Sequence, residues 1–474
     1  MFILDKCIFM MLKINKTTLA GFLLFLMPAL AFCTNLSSFE KPFAANSFWN
    51  SRPVEAVLGD FQLPTSFYYP AVQEGSYSTG FFLAKYNDPA VKVTSVSGSK
   101  GVWDVDSEMY RNEIIVYHWP TNVVPASGTD GHADIVDPVT GIIHSFYQLK
   151  NTNGVWTAAQ YNWTELSGRG WGDPAHYAQG ARATGVPAVA GLIRKHEIYD
   201  GDSMYRHALT LSLPYNALSK APSYIFPATM ADTTAIYYNT GQIPEGALLM
   251  LPSTFNVDSL KTPELRKIAN TLKTYGAYVT DRNFGTPFVI YVENGSDFNL
   301  HKNGWNSAAG FDLEKIRLAL RQVISVKGWL DANDKPFKPN MNMNLISMRG
   351  PWQLLSDGEV GVFNSGQQAV EFRNTIAPVI QTNTAYRNIS RITWAIPKKG
   401  KLYKLQSQAS GGGQFRLQIF DNVLQQYTYD SGDLTNGQSL IFEWPSDDYQ
   451  PSLTVTSGVG AYSKVRGTLV EVLR

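Results

Sequence analysis

The feature that most limits this chain is the length of its apolar runs. Between residues 77 and 215 they are short and stop at Gly, Pro, Asn or Asp, as in Ile114-Ile115-Val116-Tyr117, Ile142 to Leu149 and Ala208 to Leu213. Runs of about four to eight residues bounded by turn formers predict strands rather than helices, and their close spacing predicts antiparallel pairing. The composition agrees: 25 Phe, 24 Tyr, 11 Trp and 38 Gly in 474 residues suit pleated surfaces and tight turns. An apolar share of 44% excludes a disordered chain, and Ala, Glu, Lys, Leu and Arg do not dominate as a coiled coil requires. With 40 basic and 39 acidic residues there is no electrostatic case for a nucleic-acid partner.

Two segments have a helical period. Thr262-Pro263 offers an N-cap and a first-turn proline, Leu265, Ile268, Leu272 and Tyr275 then share a face, and Gly276 supplies a stop. A second helix is predicted with Asp312 as its cap, Ile316, Leu320, Val323 and Ile324 on its apolar side, and Gly328 after it. Both read as braces on a sheet.

The N-terminus carries Lys13 and Lys16, then an apolar run from Leu19 to Leu30 that ends in Ala29-Leu30-Ala31. This is the three-part pattern of a secretory signal, and the run falls short of the roughly 20 residues a membrane span needs. Residues 1–31 are therefore expected to be removed and the protein to be secreted, extracellular or periplasmic, with no membrane span. Only Cys7 and Cys33 occur, so a chain cleaved after Ala31 forms no internal disulfide. Cys33 offers an alternative, a lipidated first residue, but bulky Phe32 precedes it where a small residue is expected.

Residues 32–60 read as an extended arm with Phe43, Phe48 and Trp49 among Asn, Ser and Pro. The fold class expected is mostly β: a jelly-roll-like sandwich over residues 32–330 with the two bracing helices, and a second β-sandwich over 352–474. Residues 331–351 lack periodicity and read as a linker. Alternating segments such as Lys401 to Ser407, Phe415 to Phe420 and Ser439 to Trp444 carry no acid–base cluster, so the second sandwich reads as a carbohydrate-binding module. Its candidate stacking residues include Trp352, Trp394, Tyr427, Tyr429 and Trp444, most of them expected in the core.

Chemistry concentrates between residues 130 and 207. Asp130-Gly131-His132-Ala133-Asp134 leads to Asp137-Pro138-Val139-Thr140-Gly141 and then to His144, a hairpin by its turn residues. Pairing Val136 with Ile142 places His132, Asp134 and His144 on one face, a polar set that an apolar face would not choose. A chance His–Asp pair on a solvated face is the alternative. Next come Tyr161 and Trp163, then Arg169, Gly170, Trp171, His176 and Arg182, the mixture of rings, amides and Arg that a sugar cleft uses. The third stretch holds Arg194, Glu197 and, at the mouth of an apolar strand, His207. No Gly-x-Ser-x-Gly, Walker loop, dinucleotide fingerprint or His-Glu-x-x-His occurs; no cofactor is expected, and His and Asp leave only a weak signal for a divalent cation.

Taken in order, these motifs resemble a family of secreted microbial β-rich proteins. The pattern runs from Phe43-Ala-Ala-Asn-Ser-Phe-Trp-Asn50 through Asp130, His132 and Asp137 to Gly185-Val-Pro-Ala-Val-Ala-Gly-Leu-Ile-Arg194. It continues with Glu197, His207-Ala-Leu, Pro244-Glu-Gly246, Leu272-Lys-Thr-Tyr-Gly276 and an Asn-Trp loop near Trp305, spanning roughly 42–330. The resemblance implies a jelly-roll-type domain with a carbohydrate-active role, and it places Asp130, His132, Glu197 and His207 in matching motifs. The segment between Glu197 and His207 is longer here than the family's spacing.

The expectation is thus a polysaccharide-degrading enzyme with Asp130, His132, Glu197 and His207 as its catalytic set. Tyr147, Tyr161, Trp163, Arg169, Arg182 and Arg194 are the substrate-binding candidates. Hydrolysis would use Asp130 or Asp134 with Glu197. Elimination would use His132, His207 or Tyr147 as base, with Arg182 or Arg194 neutralising a uronate. The other reading is a glycan-binding surface or matrix protein without catalysis.

Overall fold

The computed structural model describes residues 38–472. The expected signal segment 1–31 and Cys33 lie outside the described residues. The chain is mostly β, as its short apolar runs predict.

A seven-stranded mixed sheet organises the N-terminal lobe. Its order is Val57–Leu58, Arg321–Ser325, Leu248–Met250, Ala277–Asn283, Leu209–Pro214, Val289–Tyr291 and Ala71–Gln73. Leu209, Leu211, Leu213, Ala277, Val279 and Ile290 point to one face and form a core with Leu265, Ile268, Leu272, Leu313 and Ile316 of the two helices. Tyr278, Val289 and Tyr291 point to the opposite face. There they pack under Phe43, Phe48 and Trp49 of the arm and under Trp171, Val186 and Val189.

The helix Pro263–Thr274 forms where its period and proline predict, with Thr262 as N-cap. The second helix differs from expectation. It spans Ser307–Ala319, and the side chain of Asn306 caps it by accepting from Ala309 N. Asp312 sits inside that helix, and its Oδ2 accepts from Lys261 N and Thr262 N at 2.7 and 2.8 Å. Its carboxylate thus caps the neighbouring helix, where negative charge meets the positive dipole end. Val323 and Ile324 lie in the strand Arg321–Ser325, because the backbone turns extended at Leu320.

Beside this sheet stands a six-stranded sheet ordered Gly80–Leu83, Ala133–Asp137, Ile142–Tyr147, Gln160–Glu165, Val102–Asp104 and Met109–Arg111. Ala133, Ile135 and Phe146 share a core with Val93 and Val116 of a four-stranded sheet. Pairing here is mixed, not purely antiparallel: Gly80–Leu83 runs parallel to Ala133–Asp137, and Gln160–Glu165 parallel to Val102–Asp104. Long excursions join these strands, and they leave room for the crossover that parallel pairing needs.

The hairpin itself forms, one residue out of the expected register. Ile142 pairs with Asp137, Ser145 with Asp134 and His144 with Ile135. Asp137 stays in the strand because its Oδ1 accepts from Val139 N and Thr140 N and its carbonyl from Gly141 N. The loop is shorter by one, and a one-residue slip flips the faces. His144 therefore faces away from His132 and Asp134, with Nδ1 2.8 Å from the Tyr161 hydroxyl.

The C-terminal lobe is a sandwich of two five-stranded antiparallel sheets. Gln414–Asp421 alternates buried and half-buried along its whole length. Leu405, Phe415, Leu417, Ile419, Leu453, Val455 and Leu469 meet between the sheets. Leu345, Ile346 and Met348 belong to the same core. Tyr427 is exposed, whereas Trp352 and Trp444 are buried. The lobes meet at Arg349, whose Nη2 lies 2.7 Å from Asp106 Oδ1 and 2.6 Å from Ala175 O. Asp106 also accepts from Ser365 Oγ and from Gln368 Nε2.

Candidate active site

A defect in the seven-stranded sheet sets up an acidic cluster. Leu211 pairs with Val279, but Ser212 pairs with Asp281, so Thr280 is bulged out of register. Without the bulge, strand alternation would send Asp281 to the helix-packed face with Val279. With it, Asp281 joins Ser212 and Tyr291 on the other face, where the Tyr291 hydroxyl donates to Ser212 Oγ at 2.9 Å.

Arg182 meets Asp281 there. It stands on a tight loop in which Gly185 N donates to Arg182 O and Arg182 N to Val186 O. Gly185 has φ +79, and a Cβ on it would lie 2.7 Å from Thr229 Oγ1 and from Tyr177 O, so only glycine closes this loop without strain. Arg182 Nη1 donates to Asp281 Oδ2 at 3.2 Å, Nη2 donates to Tyr77 O at 3.3 Å, and the guanidinium lies 4.2 Å over the Tyr291 ring. Its side chain is 1% exposed and that of Asp281 19%. Among the described residues the buried Nε of Arg182 has no hydrogen-bond partner.

Five more carboxyl and ring groups gather round this pair. Asp130 is 30% exposed, and its Oδ2 lies 4.0 Å from Nε2 of buried His132. Tyr147 lies beyond, its ring 6.0 Å from that of His132. Asp232 Oδ2 accepts from Arg282 N at 3.2 Å, and Asp232 N in turn donates to the fully buried Glu245 carboxyl.

Burial governs the titration of these groups. It pushes Asp281 up to about 7, against the pull of Arg182 and with the repulsion of Asp232 and Asp130. Asp130 is raised by burial, and Arg182 opposes the shift. Glu245 is raised well above the carboxylate range by burial and by Asp232 and Asp281. His132 goes the other way: burial and then Arg182 lower it to about 3, so it is a neutral imidazole at neutral pH. A hydrogen bond with the Phe146 backbone favours the charged form, and desolvation and the cation outweigh it.

The other expected pair, Glu197 and His207, lines a separate cleft of about 290 Å³ with Lys41, Asn50, Asp200 and Arg206. His207 Nε2 is 3.1 Å from Glu197 Oε2, and its Nδ1 is 2.9 Å from Ala208 O. Glu197 Oε2 also accepts from Arg194 N, and Lys267 Nζ donates to Glu197 O. Both imidazole nitrogens are thus occupied, and the arrangement clamps the segment between residues 197 and 207. Asp130 pairs with His132 and Glu197 with His207; among the described residues no hydrogen bond or ion pair links the two sets.

The remaining sequence candidates disperse. Arg194 is buried, its Nε 2.8 Å from Glu293 Oε2 and its Nη1 bonded to Phe39 O. Trp163 donates from Nε1 to Ser365 Oγ, and Arg169 donates to Asn340 O, both at contacts with later parts of the chain. Tyr161 bonds His144 as described above, whereas Tyr147 and Arg182 belong to the acidic cluster. Sequence reading passed over Asp281 and Asp232, which carry no local motif. Glu245 was visible only as part of Pro244-Glu-Gly246. Among the described residues no group of three or more His, Cys, Asp or Glu is placed to hold a metal ion, and no helix is long and apolar enough to cross a membrane.

No protein-family model matches the sequence, and no curated protein matches it. Solved structures align with fragments of it. A glycosylation-associated protein complex of Streptococcus agalactiae is similar over 26% of this chain at 14% identity and a TM-score of 0.19. The chain spans under half of that relative, 46% of its length. A structure of accessory secretory protein 1, 2 and 3 from Streptococcus pneumoniae is similar over 29% of this chain and 99% of its own, at 12% identity and a TM-score of 0.21. The module TmCBM61, solved with β-1,4-galactotriose, is similar over 26% of this chain and 89% of its own, at 11% identity and a TM-score of 0.17.

Proposed function

We propose that this chain is a secreted enzyme that hydrolyses glycosidic bonds in a polysaccharide, with Asp281 as proton donor and Asp130 as the second carboxylate. One observation carries the reading: Asp281 is held by Arg182 and is pushed up to about 7, in part by the charge of Asp130, which is the better solvated of the two. Glycoside hydrolysis needs one carboxyl protonated and one ionised at the same pH, a difference set by their environments. Asp130, nearer to water, ionises first. Elimination is less well served. His132 at about 3 is a weak base, and burial with the Asp130 charge raises the Tyr147 phenol, which makes it harder to ionise. The Arg and aromatic content of this region fits a glycan ligand. The non-catalytic alternative draws support from the near-complete enclosure of Arg182, which also suits a purely structural ion pair.

The test is reducing-end release from a polysaccharide panel, read together with the ultraviolet absorbance of unsaturated uronates. Hydrolysis gives reducing ends without that absorbance. Asp281→Asn and Asp130→Asn should each lower the rate by about 10²–10⁴-fold with thermal melts retained. Absence of release from every polymer, or an Asp281→Asn variant as active as the parent, defeats the proposal.

A further inference from the structure

A cleft of about 250 Å³ opens between the lobes, and Asp232 of the acidic cluster lines one side of it. The other side belongs to the C-terminal sandwich and presents Tyr386, Arg387 and Arg391. The loop bearing them is fixed to the N-terminal lobe: Thr393 N donates to the Tyr224 hydroxyl at 3.1 Å, and Trp394 Nε1 to Ala228 O at 2.6 Å. Phe226 and Trp394 meet edge to face at 4.8 Å.

Arg391 is built to receive an anion. Its guanidinium lies 4.7 Å from the Tyr386 ring centroid and 4.3 Å from that of Tyr449. Two backbone carbonyls, Tyr386 O and Tyr449 O, accept from its Nε and Nη2. Among the described residues no carboxylate lies within ion-pair distance of it. The neighbouring Arg387 stands 5.0 Å over Tyr177, half-exposed, with Glu108 Oε1 only at 4.0 Å. A cation oriented by rings and carbonyls but left without a counter-ion has already lost its side-chain freedom, so an incoming anion meets a smaller ordering cost.

We infer that this cleft is a subsite for an acidic glycan, with Arg391 and Arg387 taking its carboxylate or sulfate and the exposed Tyr386 ring flanking the sugar. The choice of a sugar as ligand rests on the glycan-cleaving reading above. It follows that the C-terminal sandwich contributes substrate contacts beside the acidic cluster, and that the preferred polymer is polyanionic.

The test is calorimetric titration of the full chain carrying Asp281→Asn, so that ligand is not consumed. The probes are trisaccharides of galacturonate, of mannuronate and of guluronate, a sulfated galactotriose, and neutral galactotriose. At least one acidic probe should bind tenfold or more tightly than galactotriose, and which one binds separates carboxylate from sulfate. Arg391→Gln should weaken that probe by about 10–100-fold, the value of a charge-assisted bond, and Arg391→Lys should recover only part of the loss. Arg387→Gln and Tyr386→Ala, at exposed positions, keep the test open should Arg391→Gln unfold. Equal binding of acidic and neutral probes overturns the inference, as does parental affinity in the folded Arg391 and Arg387 variants. Acidic-probe binding without cleavage of any polymer would sink the catalytic reading alone. Cleavage with KM unmoved by these variants would sink only this subsite.

Discussion

Arg182 and Asp281 are 3.2 Å apart because Thr280 is bulged between Val279 and Asp281, which turns the carboxylate off the helix-packed face and onto the guanidinium. The pair is nearly enclosed, so its two members depend on each other. Arg182→Met should cost about 3–5 kcal/mol in urea denaturation, since it leaves a buried carboxyl without its cation. Asp281→Asn keeps a polar partner for the guanidinium and should cost less. Equal losses for the two would show that packing over Tyr291, not charge, sets the stability.

The proton on Asp281 dictates a pH profile. Its carboxyl is protonated below about 7, so a proton donor at this position works below that value and fails above it. The kcat/KM of the parent should fall about tenfold per pH unit on the alkaline side. Asp232 raises Asp281 by repulsion, so Asp232→Asn should move this limb to lower pH. A limb that stays in place would exclude Asp281 as the titrating acid.

The Glu197–His207 clamp has its own pH window. Burial opposes ionisation of Glu197, but His207 and Arg194 N outweigh it and pull the carboxyl to about 2 from the ordinary 4.5. Burial also opposes the charge on His207, yet Glu197 raises it above 6.5. The carboxylate therefore stabilises fully above about 4.5 and loses its effect as pH falls toward 2. The imidazolium stabilises fully below about 6.5 and loses its effect as pH rises through the folded value. Between those limits Glu197→Gln should cost about 1.5–3 kcal/mol, measured as a melting-temperature difference that narrows at both extremes. A difference independent of pH would remove the ion pair from the account.

The C-terminal sandwich takes in residues before position 352. Leu345 N donates to Leu469 O at 2.8 Å, Ser390 N donates to Leu345 O, and Ile346 and Met348 are buried with the sandwich core. A fragment of residues 344–472 should unfold cooperatively. One of 352–472 lacks three buried apolar side chains worth about 1.5–3 kcal/mol each and should melt far lower or not fold. Chemical denaturation of both fragments decides it, and equal stability would mean that the earlier segment only rests on the sandwich.

Several elements were legible in the residues themselves. The strands and the sandwich alternation follow from side-chain period, and the helix Pro263–Thr274 from its spacing and its proline. These are local properties, decided by what a residue's immediate neighbours permit. The proximity of Asp130 to His132 also came from short spacing, whereas the contact of Glu197 with His207, ten residues apart, did not.

Other features depended on partners distant in the chain. Asp312 reads as a cap in sequence, but the helix it caps begins at Pro263, a choice made by packing of one helix on another. The hairpin slipped by one residue because the side chain of Asp137 bonds the turn, a contact no alternation rule contains. Asp281, Asp232 and Arg182 lie far apart in the chain, and a bulge together with a glycine-dependent loop brings them to one place. The sequence by itself therefore determined the strand-rich class and the chemical vocabulary, because period and residue type act over a few positions. Which carboxyl faces which cation was decided only by the tertiary structure, because burial, register and long-range pairing set both the distances and the protonation.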